Sequence, residues 1–305
     1  MRKKISDQAV KSFILRSAFD KEILLSKNPD FPKISIVIPS FNDGKFLEKT
    51  IVSILNQNYP NLELIIIDGG STDNTLEIIK KYENYISYWI SKKDKGLSDA
   101  LNNGFSQATG ELVNEMDADD IFLPNALLTV GKFFKENRYT DVIFGNMLNI
   151  DENDNVIGEC VYTKFSRIVY QYEGVSIGSQ SAFWKRELFK KVGMYNLNLK
   201  LSMDYDFFLR VSLAKAKFQY LPYFFSAMRR HKGSLTENFA YTPLYFQEIS
   251  EIGKRYGKKK WLTPLLKFYS MGYRISNYLL QGDGDYVIGG LLRRVTKNKN
   301  IFSGK

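Results

Sequence analysis

Apolar residues first gather into two short continuous runs. Ile34-Ser35-Ile36-Val37-Ile38-Pro39 is a β-branched stretch ended by proline, and Glu63-Leu64-Ile65-Ile66-Ile67-Asp68 is a second. Runs that are apolar at consecutive positions predict parallel strands buried on both faces. Between them Leu47, Ile51, Ile54 and Leu55 keep helical spacing, with Asn42 or Asp43 as the candidate N-cap. Strand, helix and strand make one right-handed crossover unit. The pattern repeats. Ser71 to Thr75 is placed to cap a helix carrying Leu76, Ile79 and Tyr82. Ile86 to Ile90 is strand-like, Ala100, Leu101, Gly104, Phe105 and Ala108 suit another helix, and a strand from Glu111 to Met116 follows.

Alternating β and α segments predict an α/β domain with a mostly parallel open sheet and helices on both faces. Ligands of such sheets bind outside the carboxyl ends of the strands. Three polar segments fall there: Pro39-Ser40-Phe41-Asn42, Asp68-Gly69-Gly70-Ser71 and Met116-Asp117-Ala118-Asp119-Asp120. Further on, Asp141 to Asn149 and Val156 to Tyr162 read as strands joined by the polar turn 151–155, so the sheet is expected to turn antiparallel. A helix with Phe207, Phe208 and Val211 follows Asp204, and short strands run toward His231.

Charge divides the chain unevenly. Of the net +10, residues Glu251 to Lys305 hold +9, from twelve Lys and Arg against three acids, which leaves +1 for the preceding 250 residues. A nearly neutral body argues against a nucleic-acid partner and points the basic tail at a localised anionic surface, the plain alternative being a solvated tail. A single cysteine, Cys160, excludes a disulfide framework, and the sole histidine, His231, leaves a metal to rest mainly on oxygen ligands. No run of eighteen uncharged apolar residues occurs, and the N-terminus lacks a signal-peptide core, so a cytoplasmic location is expected.

The acidic cluster carries the clearest chemistry. Asp117, Asp119 and Asp120 follow a hydrophobic strand, where like charges repel unless a cation offsets them. The alternative is an N-cap for a helix starting near Pro124. A dinucleotide fold is excluded by the turn Pro39-Ser40-Phe41-Asn42-Asp43-Gly44, which is no GxGxxG, and no GxxxxGK[ST] is present.

Together the segments SIVIPSFNDGKFLEKTIVSILNQNYPNLELIIIDGGSTDNT, KKDKGLSDALNNGFSQATGELVNEMDADD and GSQSAFWKRELFKKVGMYNLNLKLSMDYDFFLR resemble the family 2 glycosyltransferases of GT-A fold, of the bacterial polysaccharide and glycolipid type, over roughly Lys33 to Ser234. The resemblance implies a nucleotide-sugar donor, with Pro39, Phe41 and Asp68 lining the nucleotide pocket and Asp94 and Asp99 near the ribose or sugar. It implies Mn²⁺ or Mg²⁺ on Asp119, assisted by Asp117, which also faces the donor. Gly69 departs from the pattern, since many relatives carry an acid there to contact the base. Asp204 matches the family's catalytic base, with Asp206 as its rival. An inverting transfer needs one carboxylate to take the acceptor hydroxyl's proton, while the cation offsets the leaving group's charge. His231, after Arg229 and Arg230, is read as a metal or diphosphate contact, against a plain surface loop. Gln180 and Trp184 are read as acceptor-pocket residues, the alternative for Trp184 being the core.

These readings divide the chain into a leader (1–32), a catalytic domain (33–235, with a nucleotide-sugar half 33–125 and an acceptor half 126–235) and a basic amphipathic helical region (236–305). In the last, Trp261, Leu262, Leu265, Leu266, Tyr269 and Tyr273 recur at helical spacing among Lys258, Lys259, Lys260, Lys267 and Arg274. That suits a helix lying on anionic lipid, and so a peripheral protein of the cytoplasmic membrane face. An ordinary helix packed on the domain is the alternative. A second stretch, Tyr286 to Leu292 with Arg293 and Arg294, suits another such contact or a homo-oligomer interface. The expected acceptor is a glycan or lipid-linked glycan. Rival functions are a sugar-nucleotide pyrophosphorylase, which needs a basic glycine-rich loop that Ser40 to Gly44 lacks, and a degenerate transferase domain acting as a binding partner.

Overall fold

The computed structural model describes residues 6–15, 17–173, 177–234 and 242–282, with 284 and 287. The stretch 286–294, apart from residue 287, lies outside these. Two helices, α1 (Asp7–Leu15) and α2 (Lys21–Leu25), precede an alternating half: β1 (Ile34–Ser40), α3 (Leu47–Leu55), β2 (Leu62–Asp68), α4 (Thr75–Lys81), β3 (Tyr88–Ser91), α5 (Leu97–Gln107) and β4 (Leu112–Glu115). The second half comprises β5 (Ile121–Phe122), α6 (Ala126–Glu136), β6 (Val142–Ile150), β7 (Val156–Cys160), α7 (Arg167–Glu173), β8 (Ala182–Lys185), α8 (Leu188–Val192), α9 (Met203–Leu213) and β9 (Phe218–Arg229). Helices α10 (Pro243–Arg255) and α11 (Thr263–Leu280) follow.

One sheet of nine strands runs β3-β2-β1-β4-β8-β6-β9-β5, with β7 beside β6. The first four strands are parallel, and β8 reverses direction between β4 and β6. The two apolar runs sit at the centre of the parallel part. Side chains alternate across the pleat: Ile34, Ile36, Ile38, Leu64 and Ile66 enter one cluster with α3 and α6, while Val37, Ile65 and Ile67 enter the other with α5 and α9. Both faces are covered, which is why these strands carry no polar alternation.

Gly104 permits the close approach of α5 to the sheet. A Cβ there would lie 2.3 Å from Val37 Cγ1. Gly104→Ala is therefore expected to cost about 1–3 kcal/mol through overpacking, read as a lower urea midpoint with an unchanged slope.

At the opposite end of the strands from the polar segments, Glu63 on β2 is buried. Its carboxylate accepts from Ser35 Oγ (2.5 Å), Thr109 N (2.7 Å), Thr109 Oγ1 (2.6 Å) and Lys33 Nζ (2.5 Å). Burial alone would push this carboxyl up, but Lys33, Ser35 and Thr109 outweigh it and hold it at about 2.

Several local expectations are corrected. Within the leader (1–32), residues 7–15 form α1, whose Val10 and Ile14 are buried in a cluster with Ile121, Leu148, Ile150 and Ala227. Neither Asn42 nor Asp43 caps α3, whose N-cap is Phe46. Asn42 takes the left-handed conformation (φ 57°) and the Asp43 carboxylate turns back to Phe41 N. The acidic cluster caps no helix either, since α6 starts at Ala126 after Asn125. The expected short strands before His231 are one twelve-residue strand, β9, parallel to β6 with two register shifts that absorb its length.

Candidate active site

The end of β4 and the end of β9 are brought together by the short strand β5. The chain leaves β4 at Glu115, passes through the acids and re-enters the sheet at Ile121, which pairs with Ala227 on β9. Two residues beyond that pair stands Arg229. Asp117, Asp119 and Asp120 are consequently packed against the Arg229–His231 corner, and each offers a carboxylate oxygen within 4.8 Å of the others. Thr50 of α3 fixes the turn by donating to the carbonyls of Ala118 (2.8 Å) and Asp120 (2.7 Å).

Each acid is held differently. Asp117 accepts from Gln180 Nε2 at 2.7 Å. Asp119 Oδ2 lies 2.7 Å from His231 Nε2, and His231 Nδ1 accepts from Gly233 N at 3.2 Å. With Nδ1 accepting, the ring proton sits on Nε2 and is donated to Asp119. Asp120 Oδ1 accepts from Arg229 N at 2.7 Å, while its buried Oδ2 has no partner among the described residues. Arg229 is itself buried. It donates to the Asp119 carbonyl (2.9 Å), the Asp151 carbonyl (3.0 Å) and Asp154 Oδ1 (2.6 Å), and its guanidinium lies 4.7 Å from the Phe46 ring centre. Its Nη2 has no partner among the described residues.

The electrostatics follow from this crowding. Burial first, and then the Asp119 charge, push Asp117 up to about 7. The same two causes push Asp120 well above the usual carboxylate range. Burial, with a further contribution from Asp119, raises Asp43 to about 6. Three carboxylates this close, one with a bare buried oxygen, form a hard-oxygen set whose repulsion a divalent cation would relieve, so the residues fit such an ion.

The cluster forms one wall of a cavity of about 520 Å³. Pro39, Phe41, Asp43, Gly69, Lys93, Asp94, Asp117, Asp119, Asp120, Arg229 and His231 are among its lining residues. Phe41 is 61% exposed at its mouth, a ring held out to solvent where a planar group can stack. Asp94 is pinned by Gly96 N (2.8 Å), and a Cβ on residue 69 would lie 3.0 Å from its Oδ2. The absent side chain of Gly69 thus leaves room between Asp94 and Phe41.

Three residues expected at the donor or acceptor are engaged by the protein itself. Asp68 is fully buried and does not line the cavity; it accepts from Gly70 N, Ser71 N, Ser71 Oγ and Ser91 Oγ, so it braces the loop that carries Gly69. Asp99 also lies off the lining, and accepts from Lys95 N at 3.1 Å in the first turn of α5. Trp184 is a core residue with Phe105, Phe207 and Phe208 around it. Conversely, Asp43, read from the sequence only as an N-cap candidate, lines the cavity, and Arg229, read there only as part of the basic segment before His231, is buried among the acids. For Asp43 the hint was the polar turn after β1.

Asp204 stands in the first turn of α9, outside the cavity lining, with Oδ1 accepting from Tyr205 N at 2.7 Å. Burial raises it to about 6. Its charge helps to push up both Glu115, which burial carries to about 8, and Asp117, so the three acids share one electrostatic neighbourhood. Asp206 is committed elsewhere: it pairs with Arg210 Nε (2.8 Å) and accepts from Tyr256 OH (3.0 Å).

A parallel sheet that ends in clustered acids over a nucleotide-sized cleft, then continues into a mixed acceptor-side half, is the GT-A architecture of sugar-transferring enzymes. The sequence matches glycosyl transferase family 2 over residues 35–193, more than half of the chain, and the chain belongs to that family. The glycosyltransferase GlyG of Streptococcus pneumoniae serotype 4 is 38% identical over 124 residues, 40% of this chain and 41% of that protein. The PGL/p-HBAD biosynthesis glycosyltransferase of Mycobacterium bovis BCG is 31% identical over 183 residues, 59% of this chain and 69% of its own length. Among solved structures, residues 1–349 of Staphylococcus aureus TarS in complex with UDP-GlcNAc superpose with a TM-score of 0.61 at 21% identity, over 80% of this chain and 73% of that one. A likeness at that identity speaks for the fold.

Proposed function

We propose that the chain transfers a sugar from a nucleotide-sugar donor to an acceptor hydroxyl with inversion, in the assembly of a bacterial surface polysaccharide or glycolipid. The observation that carries the reading is the Asp117, Asp119 and Asp120 cluster walling a cavity that Arg229, Lys93 and the exposed Phe41 also line. The relatives' names support the sugar-transfer class, and the UDP-GlcNAc held by TarS supports a nucleoside diphosphate as leaving group.

In this reading Phe41 stacks on the base and Asp94 approaches the ribose, while Gln180 and His231 fix the rotamers of Asp117 and Asp119. Asp119, assisted by Asp117, would hold Mn²⁺ or Mg²⁺, which when bound would offset the charge of the departing diphosphate. The contact of His231 Nε2 with Asp119 lets this residue orient that carboxylate, and its place on the cavity wall keeps it within the metal or diphosphate site. Asp204 removes the proton of the acceptor hydroxyl as its oxygen attacks the anomeric carbon from the face opposite the diphosphate. With that charge offset, no general acid is needed on the leaving side. The intact acids speak for a working enzyme over a degenerate binding domain. Among the described residues no helix is long and apolar enough to cross a membrane.

A panel of nucleotide sugars, assayed for nucleoside diphosphate release with Mn²⁺ and again with EDTA, tests this reading. One donor class should be consumed only when the ion is present. If no donor is turned over and no nucleoside diphosphate raises the melting temperature, the reading is wrong.

A further inference from the structure

Helix α11 has two faces of different fate. One packs on the body of the protein: α11 rests against α7, Tyr273 OH donates to the Lys164 carbonyl (3.3 Å), Tyr278 OH donates to the Val161 carbonyl (3.0 Å), and Ser270 and Asn277 are buried. The other face is bare and apolar. Leu265 (66%) and Phe268 (71%) lie one turn apart, with Trp261 (75% exposed) a turn ahead, and Leu279 (60%) and Leu280 (86%) continue the face at its far end beyond the small exposed residues Gly272 and Ser276. Soluble surfaces seldom leave so many large side chains in one row, and such a row marks a contact site.

Charge says what covers it. No acid occurs from Lys258 to Gly282, whereas Lys258, Lys259, Lys260, Lys267 and Arg274 do. Lys259 and Lys267 are exposed, as are Lys254 and Arg255 near the end of α10. A second copy seated symmetrically on this face would bring the same lysines toward one another, which like-charge repulsion disfavours. An anionic bilayer meets both requirements, since it takes up the rings and leucines at the headgroup boundary while its phosphates attract the flanking cations.

We infer that the exposed face of α11, from Trp261 to Leu280, is a docking surface for an anionic lipid membrane. It rests on the transferase reading only for its purpose. Helix α11 lies on α7 and α7 on α9, the helix that begins with Asp204, so docking would set the acceptor side of the enzyme close to a lipid-linked substrate.

The full chain should co-sediment with phosphatidylcholine vesicles containing phosphatidylglycerol and not with phosphatidylcholine alone. Binding should weaken as salt rises, because the Debye length shrinks from about 10 Å at 0.1 M to about 3 Å at 1 M. Trp261 emission should shift to the blue on the anionic vesicles. The double variant Leu265→Ser/Phe268→Ser, whose exposed positions leave the fold intact, should partition at least ~10-fold less. Its nucleoside diphosphate affinity should match wild type, so loss of vesicle binding is read separately from loss of donor chemistry. Equal binding to neutral vesicles, or undiminished binding of the double variant, overturns the inference. So does a dimer in solution that the double variant breaks into monomers without any vesicle binding, which would give the face to a second copy.

Discussion

Asp204→Asn should lower the transfer rate by about 10²–10⁴-fold while leaving nucleoside diphosphate binding nearly unchanged. The substitution keeps the size of the side chain and its bond to Tyr205 N but removes the basicity. Because burial raises Asp204 to about 6, wild-type kcat/KM should fall as pH drops through that value, where the base takes up a proton before the acceptor arrives. In the variant that acidic limb should vanish. Asp206→Asn provides the contrast. Its carboxylate is spent on Arg210 and Tyr256, so its loss should appear in the melting temperature and not in the rate. Wild-type turnover by Asp204→Asn, or a rate loss confined to Asp206→Asn, would reassign the base.

Asp119→Ala should reduce transfer by about 10²–10³-fold, the range for losing one element of transition-state charge stabilisation, and should abolish stabilisation by Mn²⁺. A pH signature accompanies it. Asp43 and Asp117 have folded values of about 6 and about 7, and Asp120 is raised as well. Groups raised on folding contribute stability that is fully present below their unfolded values and is lost as pH rises through the folded ones. The metal-free protein should therefore lose melting temperature between about pH 4 and about pH 7. An ion competes with those protons, so Mn²⁺ should stabilise more at the upper end, by ~2.7 kcal/mol at a hundredfold excess over Kd. Calorimetry with and without EDTA measures both effects. A metal increment independent of pH, or one retained in Asp119→Ala, would remove the cluster from the ion's binding site.

The α/β class was legible because β1 and β2 are covered on both faces, which writes an unbroken apolar run into the sequence, whereas the GT-A architecture was implied only by the resemblance of the motif segments. The acids after β4 were legible for a related reason, as charge following directly on core. What stayed hidden depends on contacts between distant residues. His231 meets Asp119 across 112 positions and Arg229 meets Asp119 across 110, and only the β5–β9 pairing brings them together. Asp68 shows the converse limit: a carboxylate at a strand end looks the same in sequence whether it faces a ligand or its own loop, and here three donors of its loop and Ser91 of β3 claim it. The choice between pocket and core for Trp184, and the packing of the N-terminal helices, were not legible because an aromatic ring or a short polar-looking segment finds its partner only in the assembled core.

The same sheet holds buried acids of opposite temper at its two ends. Glu63, depressed to about 2, lends stability that is present above its ordinary value near 4.5 and drains away as pH falls toward 2. The acids at the other end relax under those same conditions, because protonation ends their mutual repulsion. Mild acid thus tightens the mouth of the cleft, and stronger acid loosens the seam that joins Lys33, Glu63 and Thr109. Acid unfolding should accordingly start from the floor of the molecule, with amide exchange quickening first around residues 33–35, 63 and 109 while the catalytic rim is still closed.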